Sequence, residues 1–209
     1  MVKEERNNEQ VLKNTVILTI ITLVSGVALG GVYQITKEPI AKAQEEAKQE
    51  AYQQVFEDAD AFEVLKVDAQ EAADAVASAG VDDGAVIDEA VEAIQGGETI
   101  GYVITSTDPN GYGGDIQVSV GIQSDGTVSG IAILSISETA GLGMKAAEPD
   151  FYEQYSGKQT DHFYVSKDGG EGEEIDAISG ATITSRAVTG AVNSSLGYFQ
   201  NVLGGSADE

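Results

Sequence analysis

The 209-residue chain contains no cysteine and no tryptophan, a single histidine, His162, and only 11 lysines and arginines against 35 aspartates and glutamates. Each shortage closes a class of chemistry. Without cysteine there is no disulfide, no thiolate nucleophile, no cysteine-held iron–sulfur cluster and no zinc ribbon. The redox compartment stays open on that ground. One histidine rules out a multi-histidine metal centre and bis-histidine haem ligation, and His162 is read as structural. A formal net charge of −24 argues against nucleic acid, whose phosphates demand clustered Lys and Arg. The acidic residues leave hard-cation sites open, but none of their spacings resembles a calcium loop, and no metal site is expected.

Hydrophobic residues make up 42% of the chain, enough for a packed core, and the length suits one globular domain with appendages. Residues 15–35, TVILTIITLVSGVALGGVYQI, carry no charge. As a helix they rise ~31 Å, enough to cross the hydrocarbon core of a bilayer. Lys13 and Lys37 flank the run and Tyr33 sits near one end, as interfacial anchors do. A cleaved signal peptide is the alternative, with small residues at Ala41 and Ala43, but the apolar run is longer than a usual signal core, and a retained anchor is expected. Thr22, Gly26 and Gly30 share one face, a spacing that admits close helix packing, although glycine is common in membrane helices anyway. Charge does not decide orientation: Lys3, Arg6 and Lys13 precede the span, and Lys37, Lys42 and Lys48 follow it. No Asp, Glu or Lys lies inside the span, so this segment alone offers no ion path.

A second helix is expected from Glu38 to about Phe62, with Pro39 suited to a first helical position. Ala43, Ala47, Ala51, Val55 and Ala59 recur at helical spacing among Glu, Gln and Lys, which reads as a solvated stalk. Residues 67–97, rich in Ala, Asp, Glu and Gly, are expected to form one weak helix plus loops. Beyond them, 99–107, 115–123 and 127–135 alternate as strands, 146–155 reads as a short helix, and 162–167 as a further strand. A closing helix over 183–202 carries the apolar stripe Ala187, Val188, Ala191, Val192, Leu196 and Phe199. The expected fold class is α+β, an antiparallel sheet with packed helices. The expected segments are 1–14 before the membrane, 15–35 across it, 38–97 as stalk and acidic region, and 98–209 as the domain.

The chemistry concentrates at residues 176–185, DAISGATITS, where an extended stretch turns into the closing helix. Ser179 is a good N-cap candidate, which would put Thr182 in the first turn. Free backbone N–H groups and the helix dipole there favour a phosphate, and Gly180 and Ala181 let one approach closely. The segment therefore reads either as a phosphate cradle with a hydroxyl inside it or as an ordinary Ser-capped helix.

The pattern Asp176-x-x-Ser179-Gly180-Ala181-Thr182 resembles the flavin-attachment motif of the FMN-binding domain shared by the G subunit of Rnf electron-transport complexes and the C subunit of sodium-pumping NADH:quinone oxidoreductases. Thr184 and Ser185 extend the match. Upstream, Glu138-Thr139-Ala140-Gly141-Leu142-Gly143 is similar to that family's Glu-Thr-Pro-Gly-Leu-Gly loop, with Ala140 in the place of proline. The Gly111–Asp115 stretch and Lys167-Asp168-Gly169-Gly170 also look family-like, the latter followed by an acidic insertion at 171–174. The resemblance implies FMN joined by a phosphoester to Thr182 and installed from FAD by a separate flavin transferase. It further implies a loop lining the flavin, with Met144 adding apolar contact, Lys145 meeting phosphate or the flavin edge, and Tyr112 available to stack. The implied function is an electron-carrying subunit of a membrane complex that moves electrons between ferredoxin and NAD and couples this to Na⁺ or H⁺ translocation. Its implied partners are the complex's other subunits, and its domain lies on the extracytoplasmic side with Met1 inside. The short chain resembles the Rnf subunit more than its longer relative. The alternatives are that C-type subunit, a flavoprotein reductase acting outside any pump, and a non-redox anchored surface module.

Overall fold

The computed structural model describes the backbone of residues 2–80 and 84–204 and the side chains from Gln10 onward within those ranges. Residues 81–83, within the expected acidic region, and Met1 and 205–209, at the ends of the expected segments 1–14 and 98–209, lie outside the described residues. The chain divides into two compact units, Met1–Glu46 and Ala47–Glu209.

The first unit is helical throughout. Helix α1 runs Val2–Val55 without interruption, and Pro39 lies inside it. No second helix starts there, contrary to the sequence expectation. Pro39 has no N–H for the carbonyl four residues back, and the flanking apolar, Ala, Glu and Lys residues are strong enough helix formers to carry the chain past that one gap. Within the apolar run the hydroxyls of Thr15 and Thr19 donate to the carbonyls of Val11 and Thr15, both at 2.9 Å, and Thr22 donates to Thr19 at 2.9 Å. Each of these three hydroxyls is thereby satisfied by its own helix, as a hydrocarbon environment favours. The most apolar 18-residue stretch of α1 has a mean hydropathy of 2.2, and α1 is the one helix among the described residues long and apolar enough to span a membrane.

The second unit is built on a six-stranded antiparallel sheet in the order β1-β2-β3-β4-β5-β6: Ala61–Leu65, Val86–Gln95, Glu98–Asp108, Ile116–Gln123, Thr127–Ser135 and Lys158–Gln159. The three strands expected from alternation are β3, β4 and β5. The first two strands were not expected, and with them the sheet reaches upstream of residue 98. Strand β2 reads VIDEAVEAIQ, in which Asp, Glu and Ala, residues depleted in strands, interrupt the Val and Ile and no aromatic residue occurs. A register shift between Ile87 and Glu89 also breaks its alternation. The expected weak helix is α2, Ala69–Ser78, whose N-terminus is held by Asp68 Oδ1 accepting from the Gln70 and Glu71 amides.

Both faces of the sheet are covered. On one, Ala51, Tyr52 and Val55 from the end of α1, together with Phe56 and Ala59, bury against Val91, Ala93, Val103 and Ala132. These residues are core, so the solvated-stalk reading fails for the last turns of α1. Gly101 and Gly121 make the approach feasible, since a Cβ on them would sit 2.6 Å from the Phe56 ring and 2.8 Å from Val55. The other face, with Ile104, Val118, Val120 and Ile122, packs on α2 and on helix α4, Thr182–Tyr198. Between β5 and α4 lie a 3₁₀ turn, Gly143–Ala147, and a short helix α3, Pro149–Tyr152, followed by a parallel pair β7 (Phe163–Val165) and β8 (Glu173–Ile175). The acidic stretch read as an insertion thus supplies strand β8. Asn193 of α4 holds β7 as a neighbouring strand would, accepting from the Phe163 N–H and donating to its carbonyl at 2.8 and 2.9 Å. Beside them, burial pushes the Tyr155 phenol well above its ordinary pKa, and its hydroxyl is bonded to Thr189.

Candidate functional site

Thr182 is the first residue of α4. The residue before it, Ala181, is the N-cap by backbone geometry, and no side chain caps the helix. Ser179 is exposed and does not cap the helix. The turn is closed from the opposite direction, by a hydroxyl one turn into the helix: Ser185 Oγ accepts from the Ile178 N–H at 3.0 Å and donates to the Ala181 carbonyl at 3.1 Å. The N–H groups of Thr182, Ile183 and Thr184 have no carbonyl four residues back within the helix and no side-chain acceptor among the described residues. Together with the positive end of the helix dipole they form an anion-binding surface around the Thr182 hydroxyl. Gly180 adopts φ +79°, and a Cβ there would lie 3.3 Å from Leu142 Cδ2. A side-chain-bearing residue would be strained at this position.

The opposite wall is the 138–143 loop. The Thr139 carbonyl accepts from the N–H groups of Leu142, at 3.1 Å, and Met144, at 3.2 Å, and Gly141 supplies a φ of +74° for this tight closure. Ala140 occupies the turn without breaking it. Glu138, only 9% exposed, accepts from the Gly113 N–H at 3.2 Å through Oε1 and so ties this loop to the one after β3. Gly113 and Gly143 exist as glycines for contact reasons. A Cβ on Gly113 would strike the Ser137 carbonyl, and one on Gly143 would lie 2.6 Å from Thr184 Oγ1 and 2.7 Å from Glu138 Oε2. Gly143→Ala should therefore destabilise the domain by about 1–3 kcal/mol, the usual cost of overpacking, read as a lowered melting temperature. A variant melting with the wild type would show that the two loops yield freely.

These walls enclose a cavity of about 570 Å³ lined by Tyr112, Glu138, Thr139, Leu142, Gly143, Gly180, Ala181, Thr182, Ile183 and Thr184. That volume falls within the roughly 300–1,000 Å³ typical of small-molecule and cofactor sites. Residues singled out from two separate sequence motifs thus meet around Thr182 on one cavity, and Gly141 shapes its loop. Tyr112, 72% exposed, stands at the rim, with Leu142 and Ile183 partly exposed beside it. Ile183 carried no sequence signal, being only the residue between two threonines. A hydroxyl at a helix N-terminus, an apolar rim and one buried carboxylate suit a ligand with a phosphate at one end and a flat ring at the other.

Lys145, Asp176 and Ser179 do not line this cavity. They face a separate groove of about 250 Å³, shared with Glu148, Asp150, Phe151 and Gln154. The Gln154 side chain acts there as a backbone clamp, accepting from the Asp176 N–H at 2.7 Å and donating to its carbonyl at 3.4 Å. Sequence inspection gave no hint of that clamp, which joins positions 22 residues apart. His162 lines a third hollow beside β7, and its carbonyl accepts from the Glu173 N–H at 3.0 Å.

Comparison with known proteins gives two family matches, an FMN-binding domain over residues 111–197 and an RnfG N-terminal region over residues 3–55. The chain is 34% identical over 195 residues to the G subunit of the Na(+)-translocating ferredoxin:NAD(+) oxidoreductase complex of Acetobacterium woodii, covering 92% of this chain and 93% of that one. It is 31% identical over 202 residues to the G subunit of the proton-translocating ferredoxin:NAD(+) oxidoreductase complex of Clostridium ljungdahlii, covering 97% and 98%. Among solved structures it is similar to NqrC of Shewanella oneidensis, with 24% identity, a TM-score of 0.45, and 54% of this chain and 58% of that one covered.

Proposed function

This chain belongs to the family of G subunits of ion-translocating ferredoxin:NAD(+) oxidoreductase complexes, and on that premise we propose that it is the complex's membrane-anchored flavoprotein relay, with FMN held covalently by a phosphoester to Thr182. The observation that carries the reading is the convergence of the 176–185 and 138–143 segments on one cavity with the Thr182 hydroxyl at a helix start inside it. FMN bound there supplies the one- and two-electron chemistry of an isoalloxazine ring. The residues of the chain supply binding and placement. The α4 amides take the phosphate, Gly180 and Ala181 keep the approach open, and Leu142 and Tyr112 offer apolar surface to the ring. Asp176 and Ser179, turned toward the second groove, are the members of the motif left accessible to the flavin transferase. The decisive experiment is a denaturing gel of the full chain under ultraviolet light, since only covalent flavin survives the gel. A dark band from chain co-produced with a flavin transferase would overturn the covalent reading.

Sidedness follows from the same premise: Met1 inside, and the Ala47–Glu209 unit outside the cytoplasm. Charge does not oppose this, since long domains translocate largely regardless of it. The chain has no cysteine, so Asn8→Cys and Ser206→Cys each introduce a unique thiol. A membrane-impermeant thiol reagent applied to intact cells, or to spheroplasts where an outer membrane intervenes, should label Ser206→Cys and spare Asn8→Cys. The reverse pattern would invert the topology.

A further inference from the structure

Glu138 is a nine-tenths buried carboxylate with half of its bonding capacity unused. Oε1 is held by the Gly113 N–H, whereas Oε2 has no hydrogen-bond partner among the described residues. Oε2 lies beside Gly143, on the same small surface as the Thr184 hydroxyl. Among the described residues Glu138 is also the only carboxylate on the cavity's lining, and no lysine or arginine joins it there. A structural anchor alone would not need a charge. An amide would accept from Gly113 equally well, and burying an unpaired carboxylate is costly.

We propose that Glu138 tunes the cofactor's potential: it presents a fixed negative charge to the cavity and lowers the midpoint of the flavin held there. This rests on the reading that the cavity holds FMN. Reduction adds electrons to the ring, and an unopposed carboxylate on a nine-tenths buried side chain penalises that added charge more than the same group would in bulk water. A lowered midpoint makes the subunit a better electron donor to whatever carrier follows. The free Oε2 is an acceptor only, so it also selects a ring orientation that offers it an N–H.

The test uses the full chain in detergent, co-produced with a flavin transferase, with occupancy read from gel fluorescence and the midpoint from a spectroelectrochemical titration of the flavin absorbance. Glu138→Gln retains the volume and the acceptor for Gly113 while removing the charge. Its midpoint should shift upward at unchanged occupancy, and Glu138→Asp, which restores the charge, should lie closer to wild type than Glu138→Gln does. Equal midpoints for wild type and Glu138→Gln, both carrying flavin, would overturn the proposal alone. Loss of flavin or fold in both variants would reduce Glu138 to an anchor and overturn it too. A wild-type chain without covalent flavin would remove the functional reading, and this proposal with it.

Discussion

Thr182→Val yields a folded, membrane-bound chain from which covalent flavin is lost to the background of the gel. Valine is close to isosteric with threonine. Thr182 is partly exposed on the cavity wall, and its hydroxyl makes no hydrogen bond to the other described residues. Removing the hydroxyl therefore costs little stability, while it deletes the only atom through which the proposed phosphoester can form. The neighbouring hydroxyls cannot substitute at equal cost. Thr184 is buried, and Ser185 is engaged with both Ile178 and Ala181. Peptide mass spectrometry of the wild type should place the adduct on the peptide containing Thr182, and the melting temperature of the variant should stay near that of unflavinylated wild type. Fluorescence persisting in denatured Thr182→Val would transfer the attachment to another hydroxyl. Asp176→Ala provides the contrast, since its side chain faces the second groove. It should lower occupancy without lowering the melting temperature, and full occupancy would leave Asp176 a merely structural role.

The second large effect concerns where the domain begins. A chain starting at Ala47 should fold as a soluble unit, and one starting at Glu98 should not fold at all. The shorter chain lacks β1 and β2, two of the six strands, and leaves β3 as a bare edge. It also loses Tyr52, Val55, Phe56, Ile87 and Val91, all buried. At about 1.5–3 kcal/mol for each large apolar side chain, these losses are of the same size as the roughly 5–15 kcal/mol by which a whole domain is stable. Circular dichroism and thermal melting of the two truncations decide the matter. A cooperative transition in the chain starting at Glu98 would show that the first two strands and the end of α1 are accessory.

That boundary marks where sequence reading ran out. The charge-free run at 15–35, the hairpin-like alternation of β3 to β5 and the apolar stripe of α4 are periodic, local signals, and each survives in the structure. Strands β1 and β2 are not local in that sense. Their alanines and glutamates become strand only by pairing, β1 on β2 and β2 on β3, and a bulge disrupts the one pattern that could have shown them. The stripe of α4 was also too narrow. Ser194, Ser195 and Asn193 lie off it and are buried: Ser195 bonds Ser106 of β3, Asn193 bonds Phe163 of β7, and α2 packs on the helix as well. At the site, the residue types around Thr182 and Glu138 were legible. The device that shapes the first turn was not, because Ser185 reaches back where a forward-reaching Ser179 would be the usual expectation. The tie between Glu138 and Gly113 spans 25 residues and follows from the pairing of β4 with β5, which sets the loop before β4 beside the end of β5.

Helix α4 is almost wholly enclosed: from Thr184 to Tyr198 only Arg186 faces solvent. Proteins open piecemeal, first where packing is sparse and backbone hydrogen bonds meet water, and last in the element that the core surrounds. A cofactor tethered to a loop would be released with every such fluctuation. One tethered to the first turn of α4, stapled from behind by Ser185, is joined instead to an element whose body, from Thr184 on, opens only with the centre of the domain. In the proposed phosphoester the anchoring oxygen would share that protection, and the gap an electron must cross would hold nearly constant from one turnover to the next.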